Sequence, residues 1–221
     1  MCVRNHACSS VVTPGGVMPE LDPATTALLT VECQNGVVGE ESALPELAKE
    51  ARNSGMLDRV AALVDAARGA GVQVVHAVAE RRPDGLGANT NARLFRVAGK
   101  LPVRQLTGSD AVRIAAPITV DGRDLVVRRL HGLSPMAGTD LDALLRNLGV
   151  RTLVVTGVSS NIAIPNTVFD AVNLGYEVVV PSDAIAGVPA SCTAEVIRNS
   201  LVLVASITTA EELRMQWAPS R

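Results

Sequence analysis

Aromatic side chains are scarce in this chain: Phe95, Phe169, Tyr176 and Trp217 are the only four in 221 residues. The core must therefore be built from Val, Leu, Ile and Ala, and a 48% hydrophobic content suffices for one sizeable core. Lysine and arginine are scattered and the formal net charge is −2, so the basic footprint that nucleic-acid binding requires is missing. No apolar run approaches the ~20 residues of a membrane span. Cys2, Cys8, Cys33 and Cys192 show no C-x-x-C spacing, which points away from a zinc site or a dithiol redox pair. Met1–Gly16 contains Arg4 but no apolar stretch of the signal-peptide kind. Scattered cysteines without such a leader indicate reduced thiols and a cytoplasmic protein. Repeats and low-complexity segments are absent as well.

What is present is an alternation of short apolar runs and helical patterns. Thr26–Val31 (TALLTV) reads as a buried strand and runs straight into Glu32-Cys33-Gln34-Asn35-Gly36. Residues 37–54 read as loop with one short helix. Met56, Val60, Leu63, Val64 and Ala67 then recur at helical spacing before a second strand, Val72–Val78, with His76 inside it. That histidine reads as a core or crevice residue rather than a metal ligand. Residues 80–110, with Pro83-Asp84-Gly85 and Asn89-Thr90-Asn91, are too long for a bare connector; a lid is one reading, a solvated or oligomer-contact loop the other. From that loop Arg93 and Arg96 could reach an acidic substrate. Asp124–Arg129 is a third strand, and Thr139 is placed to cap the helix that ends near Gly149.

The centre of the chain is Thr152–Ala171, TLVVTGVSSNIAIPNTVFDA. An apolar run breaks at Gly157, polar residues follow, and a helix then carries Ile164, Val168, Ala171 and Val172 on one face. Strand, tight turn and helix N-terminus in that order build a binding crevice in many open α/β sheets, where first-turn N–H groups can hold a negative oxygen. A further strand at Glu177–Val180, a helix near Thr193–Val204, a short strand at Ser206–Thr208 and a helix at Ala210–Trp217 complete the pattern. Residues 1–22 read as an N-terminal arm and 23–221 as a single α/β domain.

The stretch Gly157-Val158, Asn161, Ile164, Thr167, Asp170-Ala171 resembles the turn G-V-x-T-N-x-C-V-x-x-T-A-x-D-A of the isochorismatase-like superfamily, which includes nicotinamidases and N-carbamoylsarcosine amidases. Gln34-Asn35 resembles the D-x-Q-N-D end of that family's first strand. Ser134 and Gly138-Thr139-Asp140-Leu141 with Leu144-Leu145-Arg146 resemble its K-x-x-x-S-A-F-x-G-T-D-L-x-x-L-L-R segment. The likeness covers about residues 24–215. It implies a three-layer α-β-α sandwich with a doubly wound, mainly parallel sheet, and a homo-oligomer, dimer or tetramer.

The resemblance also implies roles. The family's general base, an Asp, falls on Glu32, and its nucleophilic cysteine falls on Ala163. Its lysine falls on Leu130, with Arg129 and His131 on either side. The resemblance puts a cis peptide at Val158–Ser159, beside a hole of backbone N–H groups. The D-x-H…H metal set of nicotinamidases has no counterpart here, so neither metal nor cofactor is expected. A thiol-dependent amidase needs the thiolate, which Ala163 cannot supply. The expected function is hydrolase or lyase chemistry without cysteine on a small molecule that could carry negative charge. Glu32, Arg129 and His131 are the catalytic candidates, and Gln34, Asn35, Ser159, Ser160, Asn161 and Ala163 the substrate-binding ones. The alternative is a catalytically silent binding or structural homologue.

Overall fold

The computed structural model describes residues 19–218. Most of the arm read at 1–22 therefore lies outside the described residues. Its last part packs on the domain: Leu21 is buried and its N–H donates to Gln216.

Two strands carry side chains buried on both faces, β1 (Thr26–Val31) and β4 (Thr152–Val158). A strand buried at every position has to lie inside a sheet covered on both sides, and these two are paired in parallel at its middle. The other strands are β2 (Gln73–Ala79), β3 (Leu125–Arg129), β5 (Glu177–Pro181), β6 (Ile185–Ala186) and β7 (Ser206–Thr208). The order is β3-β2-β1-β4-β5-β7, with β6 alongside the end of β4, and every strand pairing is parallel. Gly157 lets β1 and β4 close up where they end. A Cβ there would lie 2.2 Å from the Val31 carbonyl oxygen, and its φ of +106° suits glycine alone.

The helices are α1 (Asn35–Val38), α2 (Pro45–Asn53), α3 (Met56–Ala70), α4 (Arg93–Ala98), α5 (Leu141–Asn147), α6 (Ala163–Asn173), α7 (Ala190–Asn199) and α8 (Ala210–Gln216). Leu57, Val60, Leu63 and Val64 of α3 pack with Leu213 of α8 against one face of the sheet. Leu141 and Leu145 of α5 pack with Ile164, Val168 and Ala171 of α6 against the other. This is the expected three-layer sandwich.

Local differences from the sequence reading have plain causes. The segment at 37–54 holds one full helix, α2, as read, which Pro45 opens with its missing N–H harmlessly in the first turn, but its first residues belong to a short helix, α1, that already starts at Asn35. The helix expected to run to Val204 stops at Asn199, where Ser200 leaves the helical region (φ −134°, ψ −59°) and a short 3-10 turn follows. The Thr139 hydroxyl accepts the Leu141 N–H at 3.1 Å, as its place before α5 suggests. Among the described residues no helix is long and apolar enough to cross a membrane.

Candidate active site

The chain runs from β1 to β2 and β3 on one side, then returns to place β4 on β1's other side. In open α/β sheets that switch point leaves a crevice at the strand C-termini. Glu32 directly follows β1 and Ser159–Ala163 directly follow β4, so both flank it. The crevice holds a cavity of about 200 Å³ lined by Glu32, Arg129, His131, Ser159, Ile162 and Ala163 at its polar end.

Glu32 sits in the left-handed region, φ 53°, an uncommon conformation for a residue with a Cβ. Its N–H donates to the Ala77 carbonyl at 2.8 Å, while the next carbonyl, that of Cys33, accepts from Ala115 at 2.9 Å. Burial raises the Glu32 carboxyl above its ordinary value, with the adjacent Arg129 guanidinium opposing but not cancelling the effect. The side chain is only 17% exposed.

Arg129 ends β3, whose residues alternate inward and outward, so Arg129 is buried while Arg128 faces out and pairs with Glu80 at 3.2 Å. Its Nη2 donates to Glu32 Oε1. The structure thus brings Arg129, rather than His131, onto the carboxylate. Arg129 Nε is buried without a hydrogen-bond partner among the described residues. Leu130 and His131 also line the cavity.

The turn after β4 carries a cis peptide at Val158–Ser159, at the position the resemblance indicated. The Ser159 carbonyl accepts the N–H groups of Ile162 and Ile164 at 3.1 and 3.0 Å. The Ala163 N–H, at the first position of α6, has no acceptor among the described residues and lies at the cavity wall. It is placed to receive an oxygen that gains negative charge.

Four residues expected to bind substrate stand elsewhere. The Gln34 side-chain amide closes a two-way bridge with Ala79, accepting its N–H and donating to its carbonyl at 2.8 Å each. Asn35 donates to Asp110 at 3.0 Å and lines a separate groove beside α1. The buried Ser160 hydroxyl pairs with Thr193 at 2.8 Å, and Asn161 donates to the Val188 carbonyl. Alternating side chains and the sharp turn carry these groups off the crevice. Arg93 and Arg96 do not line the cavity either. Three apart on α4, they share its solvent face, and Arg96 donates to the Thr90 carbonyl at 2.9 Å.

The apolar wall is what the sequence reading missed. Leu94, Phe95 and Val97 of α4, with Leu44, Leu47 and Leu101, also line the cavity. Only the apolar letters inside an otherwise polar 80–110 loop signalled it.

Neither thiol in the described domain belongs to the crevice. Cys33 is buried in the core against the Gly157 backbone, and burial, with Glu32 adding to it, pushes its thiol up to about 12. His76 is a core residue: fully buried, it pairs with Thr30 at 2.8 Å and with Asp124 at 3.3 Å. Among the described residues no three His, Cys, Asp or Glu side chains are grouped to hold a metal ion.

Comparison with known proteins gives the chain its relatives. The chain is 29% identical over 187 residues to the ureidoacrylate amidohydrolase RutB of Methylobacterium radiotolerans, covering 79% of this chain and 72% of that one. It is 32% identical over 158 residues to a streptothricin hydrolase of Streptomyces noursei, covering 72% of this chain and 48%, about half, of that protein. A cysteine hydrolase from Pseudomonas syringae pv. phaseolicola superposes with a TM-score of 0.79 at 23% identity, over 91% of this chain and 96% of that one, which speaks for the fold. The isochorismatase domain matches residues 26–212, nearly the whole described chain, and the protein belongs to the isochorismatase family.

Proposed function

We propose that the protein hydrolyses a small molecule by acid–base chemistry at Glu32, without a covalent thiol intermediate. The observation that carries this reading is a buried carboxyl, raised by its surroundings and held by Arg129, on the wall of a cavity that also contains Ala163 and its unpaired N–H. A carboxyl raised toward working pH exchanges protons more effectively than an ordinary surface acid.

In this scheme the ionised Glu32 takes a proton from a water molecule as the water oxygen attacks the scissile carbonyl carbon. The carbonyl oxygen gains negative charge against the Ala163 N–H and the positive end of α6. Collapse of that intermediate breaks the bond to the leaving group, which receives the proton back from Glu32. Arg129 fixes the carboxylate and supplies charge rather than a transferable proton. Two relatives are named for hydrolysis, one of them an amidohydrolase, so carbon–nitrogen bonds are the first to try.

The test is a screen of small amides, ureido compounds and vinyl ethers, with Glu32→Gln protein as the blank. Turnover by the unmodified chain, absent in the blank, supports the reading. Equal traces from both proteins would end it. The second reading, binding without turnover, draws on Ala163 at the nucleophile's place and Leu130 at the lysine's; saturable binding with no reaction favours it.

A further inference from the structure

Surface charges in many parts of this chain pair off locally, as Arg59 does with Asp183, Arg146 with Asp142 and Arg214 with Glu211. Two stretches depart from that pattern. Residues 81–104 carry Arg81, Arg82, Arg93, Arg96, Lys100 and Arg104 against a single carboxylate, Asp84, which Arg82 already holds at 2.6 Å. The other five cations have no carboxylate within ion-pair distance among the described residues; Arg81 donates to the Phe95 carbonyl at 3.3 Å and Arg96 to that of Thr90 at 2.9 Å. Residues 40–58 are the reverse: Glu40, Glu41, Glu46, Glu50 and Asp58 outnumber Lys49 and Arg52. A chain of net charge −2 thus carries one basic stretch and one acidic stretch, each unbalanced.

The two stretches are neighbours in the fold. The acidic one borders a groove of about 690 Å³, lined by Glu40, Glu41 and Asp58 together with Val38, Leu57 and Pro117. Arg52 also lines it, but its guanidinium is held by the Val38 and Gly39 carbonyls at 3.2 Å each, and Asp110 there is paired with Arg113 at 3.5 Å. Val103, five residues past α4, lines the same groove, and Gln105 donates to the Gly36 carbonyl at 3.2 Å, so the basic stretch ends where the groove begins. On α4 no residue is fully buried. Its Leu94 and Val97 are about half exposed, at 47% and 48%, beside the unpaired Arg93 and Arg96. Apolar surface left open next to uncompensated charge is stabilised by covering it with a complement.

We propose that a second copy of this chain is the partner of both surfaces: α4 of one protomer seats Leu94 and Val97 in the groove of its partner, with Arg93, Arg96 and Lys100 set against Glu40, Glu41 and Asp58. Each protomer carries both members side by side, so a two-fold axis between them makes the contact twice, the self-complementary arrangement of an isologous dimer. Apolar burial supplies most of the affinity. The charges set register and speed encounter, since exposed ion pairs contribute little individually. This inference does not depend on the chemistry proposed for Glu32.

Sedimentation equilibrium at micromolar concentration, run on the full chain and on charge-reversed variants, tests it. The unmodified chain is expected at twice its 23.0 kDa mass. Arg93→Glu with Arg96→Glu should weaken the dimer by at least about 100-fold, and so should Glu40→Arg with Glu41→Arg. Mixing these two doubly reversed proteins should restore a dimer containing one copy of each, because every acidic surface then meets a basic one. That recovery separates lost complementarity from misfolding. Leu94→Ser, which leaves the charges alone, should weaken the unmodified dimer about tenfold, with thermal melts confirming that the variant is folded. A chain that stays at 23.0 kDa, reversals or a serine that leave the dimer intact, or reversed proteins that do not recover on mixing would overturn the inference.

Discussion

Arg129, the last residue of β3, donates to the carboxylate of Glu32, the first residue past β1, across the end of the intervening strand β2. Ninety-seven residues separate them in the chain, and the sheet order brings them together at its C-terminal edge. The pair sets the electrostatics of the cavity, so removing either member has consequences that can be read.

Loss of Arg129 leaves a buried carboxylate without its counter-charge. Arg129→Met should destabilise the fold by about 3 kcal/mol at neutral pH, the lower end for breaking a buried pair, because Glu32 retains some exposure. The deficit should shrink in acid, where the orphaned carboxyl becomes protonated. Urea denaturation of both proteins at several pH values measures this, and a deficit independent of pH would mean that the pair is not ionic.

The raised Glu32 carboxyl gives a second pH signature. A group held above its ordinary value of 4.5 favours the fold while protonated, so its contribution is fully present below about 4.5 and declines as pH rises through the folded value. The stability of the unmodified chain relative to Glu32→Gln should therefore fall as the pH is raised from about 4. Thermal melts across that range check the direction. A relative stability that rises with pH would mean that Arg129 outweighs burial.

Beneath the crevice, Arg68 and His76 both contact Asp124, at 2.5 and 3.3 Å. Burial lowers the pKa of His76, although Asp124 pulls the other way, so the folded chain holds the neutral ring and loses its contribution as pH falls below about 6.5. Asp124→Asn strands Arg68 and should cost on the order of 3 kcal/mol while leaving the Glu32 cavity intact. Hydrogen exchange should show loosening at β2 and β3. A loss below about 0.5 kcal/mol in denaturation, the scale of a surface pair, would mean that the network does not stabilise the fold.

Much of this architecture was legible because burial writes itself into sequence. The boundaries of β1 and the start of β4 follow from short, mainly apolar runs that are buried at every position, and Gly157 marks the close approach of β4 to the Val31 backbone. Gln34 was misleading for a physical reason: its amide is satisfied by Ala79, forty-five residues away, and a local motif carries no record of that partner. Choosing between Arg129 and His131 needed the pleat of β3, which turns Arg129 inward. The 80–110 loop could be recognised as too long for a connector, but which side of α4 faces the cavity depends on how Arg81 anchors it.

Restoring a thiol at the helix N-terminus offers a separate check. Ala163→Cys should yield a thiol that ionises more readily than Cys33, because the first turn of α6 stabilises a thiolate while Cys33 lies in the apolar core. It should nevertheless fail to create a thiol-dependent nicotinamidase, since Leu130 stands at the lysine's place and the base is a glutamate. A misplacement of about 1 Å in such a site costs on the order of 100-fold. Thiolate absorbance and nicotinamide hydrolysis assays test the two halves; efficient hydrolysis by this single variant would show that Glu32 and Arg129 already form a complete amidase site.

The most direct test is the hydrolysis rate of the unmodified chain before and after exhaustive alkylation of its thiols, beside Glu32→Gln on the same substrate. Alkylation is expected to leave the rate essentially unchanged, because Cys33 is buried and held protonated and Ala163 offers no sulfur. Glu32→Gln is expected to lower it by about 100-fold or more. Hydrolysis that is lost on alkylation and retained in Glu32→Gln would contradict the account and return the chemistry to a cysteine.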